Sequence, residues 1–389
     1  MHWSWYNALI MVILEILGNI VTSILIGYLA LTNVLAEKIE LLLPAPEEEV
    51  LEEDLGEDGI EDLGEGETLG QRLIPRVLLD HLEFQKAAVI ASQRDEEPVI
   101  VPEDQPLSEV VKDALVNVYC QYTTDRFIRT TTGTGFFINQ KGVILTNAHV
   151  AQFLILEDAE NIDGDVECVI RSGDPAEPKY TAELLYISPA WIVENAGLIT
   201  DEAPRGTGER DYALLYISKS VDGSPLPVEF PAIPVNVDLL TRNIAGSSVM
   251  TAGYPAEALF RSGADAALAP VVALTTVGTL YTFGSNYADI FSVSESPVGE
   301  QGASGGPIVT EEDRDVIGII VTKGDEATEG THSLRAITLS YIDRTIIEET
   351  GFTLQENMQG DPAFRGGVFK TAMLPFLVTV LEEELTGTN

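Results

Sequence analysis

Gly299-Glu300-Gln301-Gly302-Ala303-Ser304-Gly305-Gly306-Pro307 lies between two short apolar runs, Asp289 to Val293 and Pro307 to Thr310. Four of its first eight residues are glycine, which frees the backbone for positive φ and for close approach to a ligand. Its one serine, Ser304, sits where its own N–H and that of Gly302 can face a single oxygen. A turn of this kind combines a nucleophile with donors for a developing oxyanion. A glycine-rich hairpin without chemistry has the same local pattern, so the rest of the chain decides between the two.

Working outward, the chain reads as short β-rich runs punctuated by Gly, Pro, Asn and Asp. The first set is Leu115 to Tyr122, Gly135 to Ile138, Val143 to Thr146, Val166 to Ile170, Tyr180 to Ile187 and Tyr212 to Ile217. The second is Ser248 to Ala252, Val271 to Tyr281, Ile290 to Val293, Ile308 to Val309, Val316 to Val321 and Leu334 to Leu339. Many short strands without long helices between them predict a mainly β sandwich or barrel. Only Ser340 to Thr350 reads as a clear helix here, with Ser340 as N-cap, Ile342, Ile346 and Ile347 on one face, and Gly351 as the stop.

The histidines are His2, His81, His149 and His332. His149 ends an apolar strand in Thr146-Asn147-Ala148-His149, shortly after Gly133-Thr134-Gly135-Phe136-Phe137-Ile138. Asp211-Tyr212-Ala213-Leu214-Leu215 follows, and then Gly302-Ala303-Ser304-Gly305-Gly306-Pro307. These three motifs, in this order, resemble the T-A-A-H, D-x-A-L-L and G-x-S-G-G-P motifs of the trypsin-like (chymotrypsin-fold) serine peptidases. The branch most similar is the bacterial one that includes the periplasmic heat-shock proteases. Ala252-Gly253-Tyr254-Pro255 and Thr276-Val277-Gly278 are weaker echoes. The likeness spans about 108–350, and it implies two six-stranded Greek-key barrels, at about 108–225 and 226–350, with a C-terminal helix.

The resemblance implies a serine endopeptidase working through His149, Asp211 and Ser304 and an acyl-enzyme, without cofactor or metal. The residue chemistry agrees. A serine hydroxyl needs a base within reach, and an imidazole titrating near neutrality can take its proton and return it. Asp211 would fix the imidazole tautomer, and the Gly302 and Ser304 N–H groups would form the oxyanion hole. Ala303 stands where many members carry Asp or Asn, so activation by a freed N-terminus is not implied. Val298, six residues before the serine, would shape the substrate pocket and predicts cleavage after small or medium apolar residues. Cys120 and Cys168, the only cysteines, are either two buried thiols or a disulfide, the latter in an oxidising compartment. A catalytically silent domain that only binds proteins is the alternative. The G-x-S-x-G elbow of an α/β-hydrolase needs a strand–turn–helix at the serine and the order Ser, acid, His. It is disfavoured, because a strand follows Ser304 and Asp325 and His332 lie too close after it. No H-E-x-x-H zinc motif occurs.

Ahead of the domain, Ala8 to Ala36 is almost wholly apolar, with Glu15 its only charge. That exceeds the roughly 20 residues a helix needs to span a bilayer and the apolar core of a secretory signal. Segment 1–36 therefore predicts a transmembrane anchor, with Trp3, Trp5 and Tyr6 at the interface. Lys38 alone gives almost no topological vote and slightly favours that end inside. The expectation carried forward is nonetheless a single-pass membrane protein with an extracytoplasmic peptidase domain. Residues 37–107 read as an acidic linker and a partly helical connector. The net charge of −40 disfavours nucleic acid and anionic lipid headgroups as partners; protein or peptide substrates are what the resemblance implies. The tail, 351–389, holds an apolar piece from Phe369 to Leu381, too short to span a membrane and suited to docking on the core. The same tail is too short for the PDZ domain that many heat-shock proteases append.

Overall fold

The computed structural model describes residues 60–62, 99, 101, 104–200, 206–256, 267–294, 296–298, 301–324 and 333–387. The expected anchor, Glu15, most of the linker and connector, His2, His81, His332, Gly299 and Glu300 lie outside them. A short strand β1 (Ile60–Asp62) precedes the domain proper. Strands β2 (Leu115–Thr123), β3 (Ile128–Phe137), β4 (Val143–Thr146), β5 (Asp165–Ser172), β6 (Glu177–Ile187) and β7 (Ala213–Ser220) follow. They close a barrel in the order β2-β3-β4-β7-β6-β5. A second set is β8 (Ser248–Gly253), β9 (Val271–Thr282), β10 (Ile290–Val293), β11 (Pro307–Thr310), β12 (Val316–Lys323) and β13 (Leu334–Thr338). It runs β9-β10-β13-β12-β11-β8 and closes through the β8–β9 pairing, with β1 added parallel to the far end of β9. Both six-stranded barrels are antiparallel, as expected.

The apolar runs are continuous rather than alternating because both faces of several strands are buried. Side chains alternate across a strand, and here the two faces feed different cores. Ile144, Ala213 and Leu215 point into the first barrel with Val116, Val118 and Ile170. Their neighbours Val143, Leu145 and Leu214 pack outward against Met250, Ala252, Val309 and Val316 of the second barrel. The second barrel's own interior holds Val249, Val277, Phe291, Val293 and Ile308. The first barrel is also tied by a disulfide between Cys120 and Cys168, directly opposed on β2 and β5 with Cα atoms 4.1 Å apart.

Helices are more numerous than the sequence pattern predicts. They are α1 (Leu107–Ala114), α2 (Ala148–Ala151), α3 (Pro189–Asn195), α4 (Leu339–Thr350), α5 (Leu354–Met358), α6 (Pro362–Ala372) and α7 (Leu374–Gly387). Helix α4 starts one residue earlier than expected. Its cap is Thr338, whose Oγ1 accepts the Tyr341 N–H at 3.0 Å, while Ser340 is buried inside the first turn. Gly351 ends the helix in the left-handed region, as expected. Ile342 and Ile346 are fully buried, but Ile347 is 38% exposed rather than on the same face. The tail docks on the first barrel: Phe369, Met373, Leu374, Leu377 and Leu381 all join its core. Glu382 pins α7 to the loop beyond α2, accepting the N–H groups of Glu160 (3.1 Å) and Asn161 (2.9 Å). No single helix among the described residues is long and apolar enough to cross a membrane.

Candidate active site

Strand β4 runs through Asn147 into the single turn of α2, which carries His149. Its neighbour β7 begins just after Asp211, and Thr146 is paired with Ala213. Two adjacent strand ends thus bring together residues 62 positions apart in the chain. His149 Nδ1 lies 2.6 Å from Asp211 Oδ2, and the His149 backbone N–H donates to Oδ1 at 2.9 Å. Asn147 Nδ2 donates to the Asp211 carbonyl at 2.8 Å, locking the acid's backbone as well. A carboxylate can only accept, so the ring proton sits on Nδ1 and Nε2 is left as the acceptor. The Asp211 side chain is 6% exposed and that of His149 is 25% exposed. Burial alone would lower the imidazole pKa. The charge of Asp211 and its hydrogen bond outweigh burial and raise it above the ordinary 6.5.

Ser304 comes from the second barrel, in the loop between β10 and β11. The loop is pinned to the first barrel by Thr134, a fully buried residue of β3. Thr134 N–H donates to the Ser304 carbonyl at 2.8 Å, and its hydroxyl donates to the Gly302 carbonyl at 2.6 Å. The same hydroxyl accepts the Tyr254 N–H at 2.9 Å, and the Thr134 carbonyl accepts from Thr146 Oγ1 at 2.7 Å. One threonine therefore holds the loop on both sides of Ala303 and ties it to the strand that leads to His149.

Two glycines make this packing possible. Gly302 has φ +84° and Gly305 φ +83°, a region costly for any residue with a Cβ. A Cβ on Gly302 would lie 2.4 Å from the Tyr254 carbonyl oxygen, and one on Gly305 would lie 2.1 Å from that of Thr134. The peptide orientations matter equally. Gln301 C=O accepts the Ala256 N–H at 2.9 Å, and Ala303 C=O accepts the Gly306 N–H at 2.8 Å. In a trans peptide the N–H points opposite to the C=O. The N–H groups of Gly302 and Ser304 are thus turned away from those contacts, and no other hydrogen bond engages them among the described residues.

Val298 is fully buried and packs in the second barrel's core; a Cβ placed on Gly253 would lie 3.0 Å from its Cγ1. Motif reading missed the role of Thr134, although it stands inside the quoted G-T-G-F-F-I pattern. It also missed Arg210, whose left-handed backbone (φ 55°) and burial carry no local signal.

A pair of antiparallel six-stranded barrels, with a partly buried His–Asp pair on one and a glycine-bounded serine on the other, defines the chymotrypsin class of fold. The family comparison agrees: residues 133–319 match the family model of the trypsin-like peptidase domain. That stretch is similar to the family's domain, and the matched span includes His149, Asp211 and Ser304. No curated protein matches the chain at a significant level.

Proposed function

We propose that the chain is a serine endopeptidase in which His149, Asp211 and Ser304 form the catalytic triad. The observation that carries the reading is the His149–Asp211 pair, with imidazole Nε2 left as acceptor, on the same barrel to which Thr134 fastens the serine loop. Ser304 Oγ attacks the scissile carbonyl as Nε2 takes its proton. Asp211 stabilises the imidazolium that forms, without itself being protonated. The Gly302 and Ser304 N–H groups receive the negative charge on the substrate oxygen, each worth about 3–4 kcal/mol at the transition state. Collapse expels the amine with the proton returned by His149. Water then repeats the sequence on the acyl-enzyme.

Incubating the full chain with a fluorophosphonate probe tests this. Labelling of the wild type and none of Ser304→Ala is expected. Equal labelling of both would place the reactive nucleophile elsewhere and refute Ser304, and labelling of neither would point to the silent protein-binding alternative. An apolar Val298 where an acid would select Lys or Arg supports cleavage after small or medium apolar residues, although its side chain is fully buried in the second barrel's core. A cleavage profile dominated by Lys or Arg at P1 would refute that. The apolar segment 8–36 supports a membrane anchor, and the Cys120–Cys168 disulfide supports an oxidising, extracytoplasmic setting for the domain. Protease protection of tagged chains in sealed membranes reads out the side directly.

A further inference from the structure

The Asp211 carboxylate receives both its described hydrogen bonds from one residue, His149. Among the described hydrogen bonds, no group of the second barrel touches it. Yet the two residues that flank Asp211 both reach away from the imidazole and end on helix α4, which follows the last strand of the second barrel. Tyr212 OH is 2.9 Å from Thr345 Oγ1. Arg210 is buried, its Nη1 donating to Glu349 Oε1 at 2.8 Å and its Nη2 to Glu348 Oε2 at 2.7 Å. The Arg210 backbone N–H donates to Tyr341 OH at 3.2 Å.

Glu349 is the centre of this cluster. It is 4% exposed, and besides Arg210 it accepts from Ser188 Oγ at 2.9 Å and from Tyr186 OH. Tyr186 belongs to β6, and Ser188 caps α3 by accepting the Trp191 N–H at 3.2 Å. A single carboxylate therefore joins the first barrel, the acid's loop and α4. A buried charge with several fixed donors holds its neighbours in one arrangement, because any shift leaves a desolvated group unpaired. Arg210 also holds a left-handed backbone that an arginine adopts only when its surroundings enforce it. That conformation sets the direction in which Asp211 leaves the chain.

We infer that Glu349, through its ion pair with Arg210, is the positioning residue for Asp211, so that the placement of α4 sets the alignment of the His149–Asp211 pair. The inference rests on the reading of Asp211 as the triad acid. Its test therefore includes a readout independent of turnover.

Two variants of the full chain suffice. Glu349→Gln keeps the shape and removes the charge. The double variant Arg210→Met/Glu349→Leu removes both partners and leaves no orphaned charge, so its fold is expected to survive even if the single variant's does not. The measurements are kcat and KM per fluorophosphonate-titrated site, Tm, and an NMR titration of the His149 ring nitrogens. A positioning role predicts kcat lower by about 10- to 100-fold, the scale for misplaced catalytic groups, with KM within about twofold. It also predicts a His149 pKa that falls from its raised value in both variants. A double variant with wild-type Tm, kcat and His149 pKa would overturn the inference and leave the cluster as packing alone. If wild-type protein fails to label, the peptidase reading falls. The NMR titration still decides the positioning claim, since it reads His149 itself.

Discussion

The two barrels supply the site in different ways. The first presents its acid and base at the ends of neighbouring strands, β4 and β7, whose register and hydrogen bonds fix both residues within one module. The second presents its serine in a loop with little regular structure of its own, held by its own barrel through Ala256 and Ile320 and by the first barrel through Thr134. The His149–Asp211 contact is thus made within one barrel, with α4 bearing on the residues that flank Asp211, while the serine loop takes contacts from both barrels. A change confined to the serine loop should therefore leave the His149–Asp211 hydrogen bond intact.

Four substitutions test that contrast. The largest effect is expected from Asp211→Asn, which breaks the first barrel's contribution outright. A fall in kcat of about 10⁴-fold, the magnitude known for chymotrypsin-type enzymes, should accompany it. The pH profile should also move. In the wild type, activity needs neutral His149, so the acidic limb should titrate above 6.5. Without the carboxylate only burial acts on the ring, and the limb should shift below 6.5. Stability runs the opposite way, because a raised folded-state pKa favours the charged form. The pair's contribution to stability should be complete below about pH 6.5 and fade as pH rises through the raised pKa. Thermal melts across that window check the sign, and a stability that grows with pH there would contradict it.

Gly302→Ala comes next, since it meets the Tyr254 carbonyl and forces a Cβ into the left-handed region. A loss in kcat of about 10²–10³-fold is expected, as for removal of one oxyanion donor, with the His149 NMR titration unchanged. A shifted titration would mean that the two halves are less separable than argued. Thr134→Val is smaller in effect. It strips the hydroxyl that serves the Gly302 carbonyl and the Tyr254 N–H, leaving two buried groups unpaired at about 1–3 kcal/mol each. Its kcat should fall about 10-fold, and Thr134→Ser should restore most of it. Cys120→Ser should affect the first barrel alone. Opening a 48-residue loop costs up to about 4 kcal/mol of stability, and kcat of the folded fraction should be nearly unchanged.

Much of this was legible beforehand. The three motifs pointed to His149, Asp211 and Ser304 as candidates. The short apolar runs gave a mainly β sandwich or barrel, because strand length and turn residues are local properties, and the family resemblance supplied the pair of barrels. Strand ends shifted by a few residues, most clearly for β3, which begins at Ile128 rather than Gly135. The helical tail was under-read, since α6 and α7 interleave glycine, proline and apolar residues and gain their stability from docking on the first barrel. Cys120 and Cys168 looked equally like free thiols until β2 and β5 were found side by side.

By itself, the sequence determined which groups could do chemistry: a serine among glycines, a histidine at a strand end, an acid before an apolar strand. It could do so because serine, histidine and aspartate are identities read directly off the chain, as is their order along it. Only the tertiary structure decided how those groups are held. Thr134 reaches Gly302 across 168 residues, and Arg210 reaches Glu349 across 139. Hydrogen bonds over such separations depend on how the two barrels and α4 pack, which no local pattern encodes.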